Sequence, residues 1–124
     1  MLPKDAKIMV VDDTKIIRFA MKKYLKSLGY ENIIEAVDGN DAVRKHAEEK
    51  PAIIFMDVVM PGLTGDKALQ QIRSQDTETP VVMLTSVADE STINECERAG
   101  IAGYIIKPIT VEDGPDVLKR YLSL

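Results

Sequence analysis

"IIFMDVVMPG", residues 53–62, decides the fold. Nine of its ten residues are apolar, glycine or proline, and the tenth is Asp57, set where the apolar run ends. A short unbroken apolar run closed by Pro61-Gly62 reads as a strand buried on both faces, and that kind of strand belongs to a parallel sheet. A carboxylate beside so much hydrocarbon is costly to bury alone, so either Asp57 is the first exposed group of the strand or a cation meets it.

Four other segments repeat the design: "KIMVV" (7–11), "NIIEAV" (32–37), "VVMLT" (81–85) and "GYIIK" (103–107), with "AIIFM" (52–56) between them. Helical spacing fills the intervals. It is clearest over residues 14–28, where Ile17, Ala20, Met21, Tyr24, Leu25 and Leu28 share one face and Gly29 supplies a stop. Residues 39–49 carry a weaker stripe through Ala42, Val43, His46 and Ala47, and residues 64–74 carry one through Ala68, Leu69 and Ile72. The helix read at 89–99 turns only Ile93, Cys96 and a few alanines inward and is expected to be the most loosely held. Gly114-Pro115 falls where a last helix should already be running, so that helix either starts late or has a broken first turn. The alternation gives an α/β class, a (βα)5 parallel sheet covered by helices on both faces.

At 124 residues the chain fits one domain, residues 1–124, able to bury a core without disulfides. The longest apolar runs fall short of the roughly twenty residues that span a bilayer, and the start lacks the pattern of a secretory signal. One cysteine, Cys96, cannot make an internal disulfide, which fits a reducing cytoplasm. A net charge of −4 without a basic block argues against nucleic acid as a direct partner.

In open parallel sheets ligands bind outside the carboxyl ends of the strands. Those ends carry Asp12-Asp13, Asp57, Thr85-Ser86 and Lys107-Pro108, while the second strand runs into Val37-Asp38 without a counterpart. Alone, each residue is ordinary turn or surface chemistry. Together, three carboxylates at one sheet edge repel unless a hard cation or a lysine joins them, and oxygen-only ligands suit Mg²⁺. With Asp57 as a carboxylate nucleophile toward phosphorus, such a pocket has a chemical logic in which Lys107 balances phosphoryl charge and Thr85 donates a hydrogen bond. His46 and Cys96 read as boundary and packing residues, and Met56, Met60 and Met83 as core.

"VVDD", "MDVVMPG", "LTS" and "IIKP" resemble, in order and at the right intervals over essentially the whole chain, the landmarks of the response-regulator receiver domain of two-component signalling. The resemblance implies the flavodoxin-like strand order 2-1-3-4-5, with the second strand set apart from the reactive ends. It further implies that Asp57 accepts a phosphoryl group from a sensor histidine kinase. Asp13 would bind Mg²⁺ directly, Asp12 through water, and the backbone carbonyl of Val59 would be a further ligand. Thr85 would be the switch hydroxyl, Lys107 the phosphoryl-pairing lysine, and Tyr104 an aromatic that turns inward on activation, with a cis Lys107-Pro108 bond. The expected output is protein contact through helix four, strand five and helix five, in a stand-alone regulator of the chemotaxis type. Partners of that type are an effector such as a flagellar motor component and a phosphatase. Relay to a histidine phosphotransfer protein is the alternative.

Val59 and Val87 are apolar where many relatives carry polar side chains able to orient water, which implies slow loss of the phosphoryl group. Ser86, where the family usually has a smaller residue, implies narrower access for small phosphodonors. Two other classes fit less well. A haloacid-type aspartyl-phosphate hydrolase places a second Asp two residues after the nucleophile, and this chain has Val59 there. A flavodoxin-type electron carrier wants an uncharged phosphate loop after the first strand, and "DDTKII" is acidic.

Overall fold

The computed structural model describes residues 1–86 and 90–123, which leaves the reading of Val87 outside the described residues. Five strands, β1 (Ile8–Val11), β2 (Ile33–Ala36), β3 (Ile53–Asp57), β4 (Val81–Thr85) and β5 (Gly103–Ile106), alternate with five helices. The helices are α1 (Lys15–Ser27), α2 (Gly39–Glu49), α3 (Gly65–Arg73), α4 (Glu90–Ala99) and α5 (Gly114–Leu122). All strand pairs are parallel and the order is β2-β1-β3-β4-β5, as the resemblance implies.

Successive side chains of a strand point to opposite faces, so each continuous apolar run feeds two layers at once. Ile8, Val10, Phe55 and Leu84 meet Met21, Leu25 and Leu118 of α1 and α5. Met9, Met56, Val81 and Met83 meet Ala42, Leu69, Ile72 and Cys96 of α2, α3 and α4. Cys96 is the one buried side chain of α4 among the described residues, in keeping with the thin apolar stripe. Burial, with the carboxylates of Asp66 and Glu95 adding to it, pushes its thiol up to about 11, the character of a packing residue.

Local signals fix the ends. The amides of Gly29 (φ +95°) and Tyr30 donate to the carbonyls of Lys26 and Leu25, a Schellman closure of α1 that needs glycine at the left-handed position. Asp38 caps α2 by accepting from the Asp41 amide at 2.7 Å, while Asp41 accepts from the Val37 amide at 3.0 Å. The second strand's terminal carboxylate is thereby occupied in capping. At the other end of the chain, a Cβ on Gly114 would lie 2.7 Å from the Tyr24 ring. Gly114 thus lets α5 start against α1, and Pro115 follows in its first turn, where no amide is needed. This resolves the late start of the last helix.

His46 follows the inward stripe of α2 rather than staying at the boundary, and one expectation of burial, for β5, is corrected. His46 is buried, 7 % exposed, and its Nε2–H donates to Asp76 Oδ2 at 2.8 Å, tying α2 to the turn after α3. β5 is an edge strand whose outer face is open: Tyr104 is 41 % and Ile106 53 % exposed, although the run reads as buried. Among the described residues no helix is long and apolar enough to cross a membrane.

Candidate functional site

Register brings the strand ends level. Val11 pairs with Met56, Asp57 with Leu84 and Thr85 with Ile106, so the residues that end β1, β3, β4 and β5 share one edge. One carboxylate oxygen from each of Asp12, Asp13 and Asp57 lies within 4.8 Å of the others. Lys107 closes the group, its Nζ 2.9 Å from Asp12 Oδ2 and 3.2 Å from Asp57 Oδ2. The Lys107 amide donates to the Thr85 carbonyl at 2.7 Å, extending the β4–β5 ladder as far as the lysine, and the Lys107-Pro108 peptide is cis.

Asp57 is 6 % exposed, so it is not the first exposed group of its strand; a cation meets it inside. Its Oδ1 faces the Val59 amide at 3.4 Å. Behind it, the Gly65 amide donates to the Val58 carbonyl at 2.8 Å, and a Cβ on Gly65 would lie 2.0 Å from the Asp57 carbonyl oxygen. Only glycine lets α3 begin this close to the strand end.

Asp12 is fully buried and every polar group it has is used. Its amide donates to the Ala36 carbonyl, its Oδ1 accepts from the Thr14 amide at 2.9 Å, and its Oδ2 takes Lys107. Its carbonyl accepts from Arg18 Nη1 at 2.8 Å. Nothing in the sequence pattern marks Arg18, which sits one turn into α1, except that a cation there can reach back toward Asp12.

Burial raises the Asp57 pKa above its ordinary value; the Lys107 ammonium opposes the rise and the Asp12 carboxylate adds to it. For Lys107, burial disfavours the charge, but hydrogen bonding to Asp12 and the nearby carboxylates outweigh it and raise the pKa. The ammonium therefore persists at neutral pH.

The donor set is three carboxylates with neither imidazole nor thiolate, which fits a hard, oxygen-seeking divalent cation such as Mg²⁺. Asp13 stands exposed at the mouth, while Asp12 and Asp57 lie deeper. Thr85, 5 % exposed, ends β4 on the same edge. Tyr104 does not join the cluster: it is exposed on the outer edge, where its carbonyl accepts from the Tyr121 hydroxyl at 3.2 Å. The Val59 side chain is 70 % exposed, and the chain reaches Asp57 there through its backbone.

Comparison with known proteins agrees with this geometry. The profile of the family described as "Response regulator receiver domain" matches residues 8–119. The chain is 29 % identical over 117 residues to the chemotaxis protein CheY of Bacillus subtilis, covering 94 % of this chain and 98 % of that one. The receiver domain of a sensor histidine kinase from Pseudomonas aeruginosa, solved with a magnesium ion coordinated in the active site cleft, superposes with a TM-score of 0.82. It is 29 % identical, over 97 % of this chain and 99 % of that one. A chain of the CheX-CheY-BeF3-Mg complex from Borrelia burgdorferi gives 0.86 at 28 % identity, over 95 % and 87 %.

Proposed function

Given that this chain belongs to the response regulator receiver domain family, the phosphorylation-activated switches of two-component signalling, we propose that Asp57 is its phosphoacceptor and Mg²⁺ its cofactor. The observation that carries the proposal is the pairing of Lys107 with Asp57 inside a cluster of three carboxylates. An Asp57 oxygen forms the bond to phosphorus as the bond from phosphorus to the donor's histidine nitrogen breaks, the nitrogen keeping the electron pair. Lys107 follows the charge onto the phosphoryl oxygens and keeps its contact with Asp12. Mg²⁺, when bound, supplies countercharge to the same oxygens, with Asp12, Asp13, Asp57 and the Val59 carbonyl as the residues that would hold it.

Thr85 is the switch hydroxyl in this reading, and Tyr104 the aromatic that moves, the first at the end of β4 and the second on β5, which Lys107 directly follows. Phosphorylation biases an existing two-state equilibrium of the α4, β5 and α5 face, where Tyr104 and Ile106 are open to a partner. The partners are a sensor histidine kinase as donor, an effector protein on that face and a phosphatase; the match to a chain of a CheX-CheY complex supports an output by protein contact.

Beryllofluoride with Mg²⁺ mimics an aspartyl phosphate and tests the switch directly. Nuclear magnetic resonance shifts at Thr85, Tyr104 and Ile106 are expected in the wild type and absent in Asp57→Ala. Equal spectra for the two proteins would reject the reading.

A further inference from the structure

Asp13 is the exposed member of the acidic cluster, and among the described residues no hydrogen bond holds its carboxylate. What places it at the pocket is therefore the backbone that carries it. The peptide joining Asp12 to Asp13 has its carbonyl oxygen gripped by Arg18 Nη1 at 2.8 Å. The same guanidinium donates from Nε to Glu35 Oε1 at 3.1 Å, and the other oxygen of Glu35 takes Lys22 Nζ at 3.2 Å. The Arg18 side chain is 12 % exposed. A planar fork fixed at two of its nitrogens has little freedom left, so the chain from Glu35 on β2 through Arg18 on α1 ends on the acid pair as a rigid strut.

We propose that Arg18, held by Glu35, is a positioning residue that fixes the Asp12-Asp13 peptide and thereby sets the divalent-cation affinity of the pocket. The proposal rests on the reading of that pocket as a Mg²⁺ site. Glu35 is suited to the task because Lys22 and Arg18 outweigh its burial and keep its carboxyl below the ordinary range, hence ionised at neutral pH.

Charge and geometry predict opposite signs here. As a positive charge beside three carboxylates, Arg18 opposes a second cation, so its neutralisation would tighten Mg²⁺ binding. As a strut, its loss weakens binding, because the peptide that places the acid pair is no longer held.

The test is calorimetric titration of Mg²⁺ into the metal-free chain, with thermal melts in EDTA run beside it. Arg18→Lys keeps the charge and loses the fork; Arg18→Met loses both. Each is expected to weaken Mg²⁺ binding about tenfold, the usual scale for outer-shell partners, with Glu35→Gln shifting the same way by a smaller factor. Lys15→Met, which neutralises an exposed cation at the start of α1 that bonds none of Asp12, Arg18 or Glu35, is expected to bind at least as tightly as the wild type. Wild-type affinity in Arg18→Lys, or tighter binding in Arg18→Met, would overturn the inference. If the Arg18 variants fail to fold, Glu35→Gln decides, and an unchanged affinity there overturns it too. A wild type that takes up no Mg²⁺ would defeat the reading of the pocket itself, and the inference with it, an outcome distinct from variants that merely match a binding wild type.

Discussion

The Lys107 ammonium lies 3.2 Å from Oδ2 of Asp57, reaching from the edge strand β5 past the end of β4 to a carboxylate on β3. The same nitrogen holds Asp12, which has no solvent access. One side chain thus serves both as countercharge for the proposed phosphoacceptor and as partner to a buried acid. Lys107→Gln is expected to slow phosphoryl uptake about a hundredfold. It should also lower stability in metal-free buffer by roughly 3 kcal/mol, since a buried carboxylate loses its cation. Stopped-flow uptake from a small phosphodonor and urea unfolding in EDTA read the two effects separately.

Asp57 itself burdens the metal-free fold. Its pKa is raised by burial, so the folded chain disfavours the ionised form relative to the unfolded chain. That penalty is present at pH above the raised folded value and vanishes below the unfolded one. Asp57→Asn leaves Lys107 with Asp12 and removes the penalty. A gain of about 1 kcal/mol, or roughly 3 °C in Tm, is expected in EDTA at pH 7, shrinking as the pH falls toward the ordinary carboxylate range. A Tm equal to or below that of the wild type would contradict it.

The opposite sign holds for Asp76. The Thr79 hydroxyl, His46 Nε2–H and the amides of Glu78 and Thr79 all donate to its carboxylate and hold its pKa well below the usual range. A depressed pKa contributes stability above the unfolded value that is lost as pH falls through the folded one. Asp76→Asn is therefore expected to cost about 1–3 kcal/mol at pH 7 and nothing at strongly acid pH. Denaturant midpoints across pH 7 to 2 would show the wild-type and variant curves converging; parallel curves would refute the assignment.

Much of this was legible before the structure, and the rest was hidden for identifiable reasons. Each strand shows as a continuous apolar run because both of its faces are covered, and the observed β1 to β4 follow those runs within a residue or two. β5 misled: Tyr104 and Ile106 are as apolar as their neighbours, yet an edge position leaves them open, and apolar content alone does not distinguish edge from centre. The strand-end acids and Lys107 could be gathered because parallel topology sends every strand end to one edge. Arg18 and Glu35 could not, since their meeting depends on how α1 lies over β2, and the His46–Asp76 pair joins residues 30 apart with no shared pattern. The depth of Asp57 was also hidden, because burial there follows from the close seating of α3 on Gly65.

Val59 presents an apolar, 70 % exposed side chain beside the pocket, with no group able to orient a water for attack on the acyl phosphate. Phosphorylated protein is expected to lose its phosphoryl group over minutes or longer without a phosphatase, and Val59→Asn to lose it several-fold faster. Decay within seconds in the wild type, or no acceleration in the variant, would remove Val59 from the explanation.

The most direct measurement is to expose the chain to a phosphorylated histidine kinase or acetyl phosphate with Mg²⁺, trap the product with borohydride and locate the modified residue by mass spectrometry. Reduction of an aspartyl phosphate leaves homoserine. The account predicts homoserine at position 57 alone, lost in EDTA and in Asp57→Asn. An unmodified Asp57 under conditions that phosphorylate another receiver, or modification at a different residue, would contradict it.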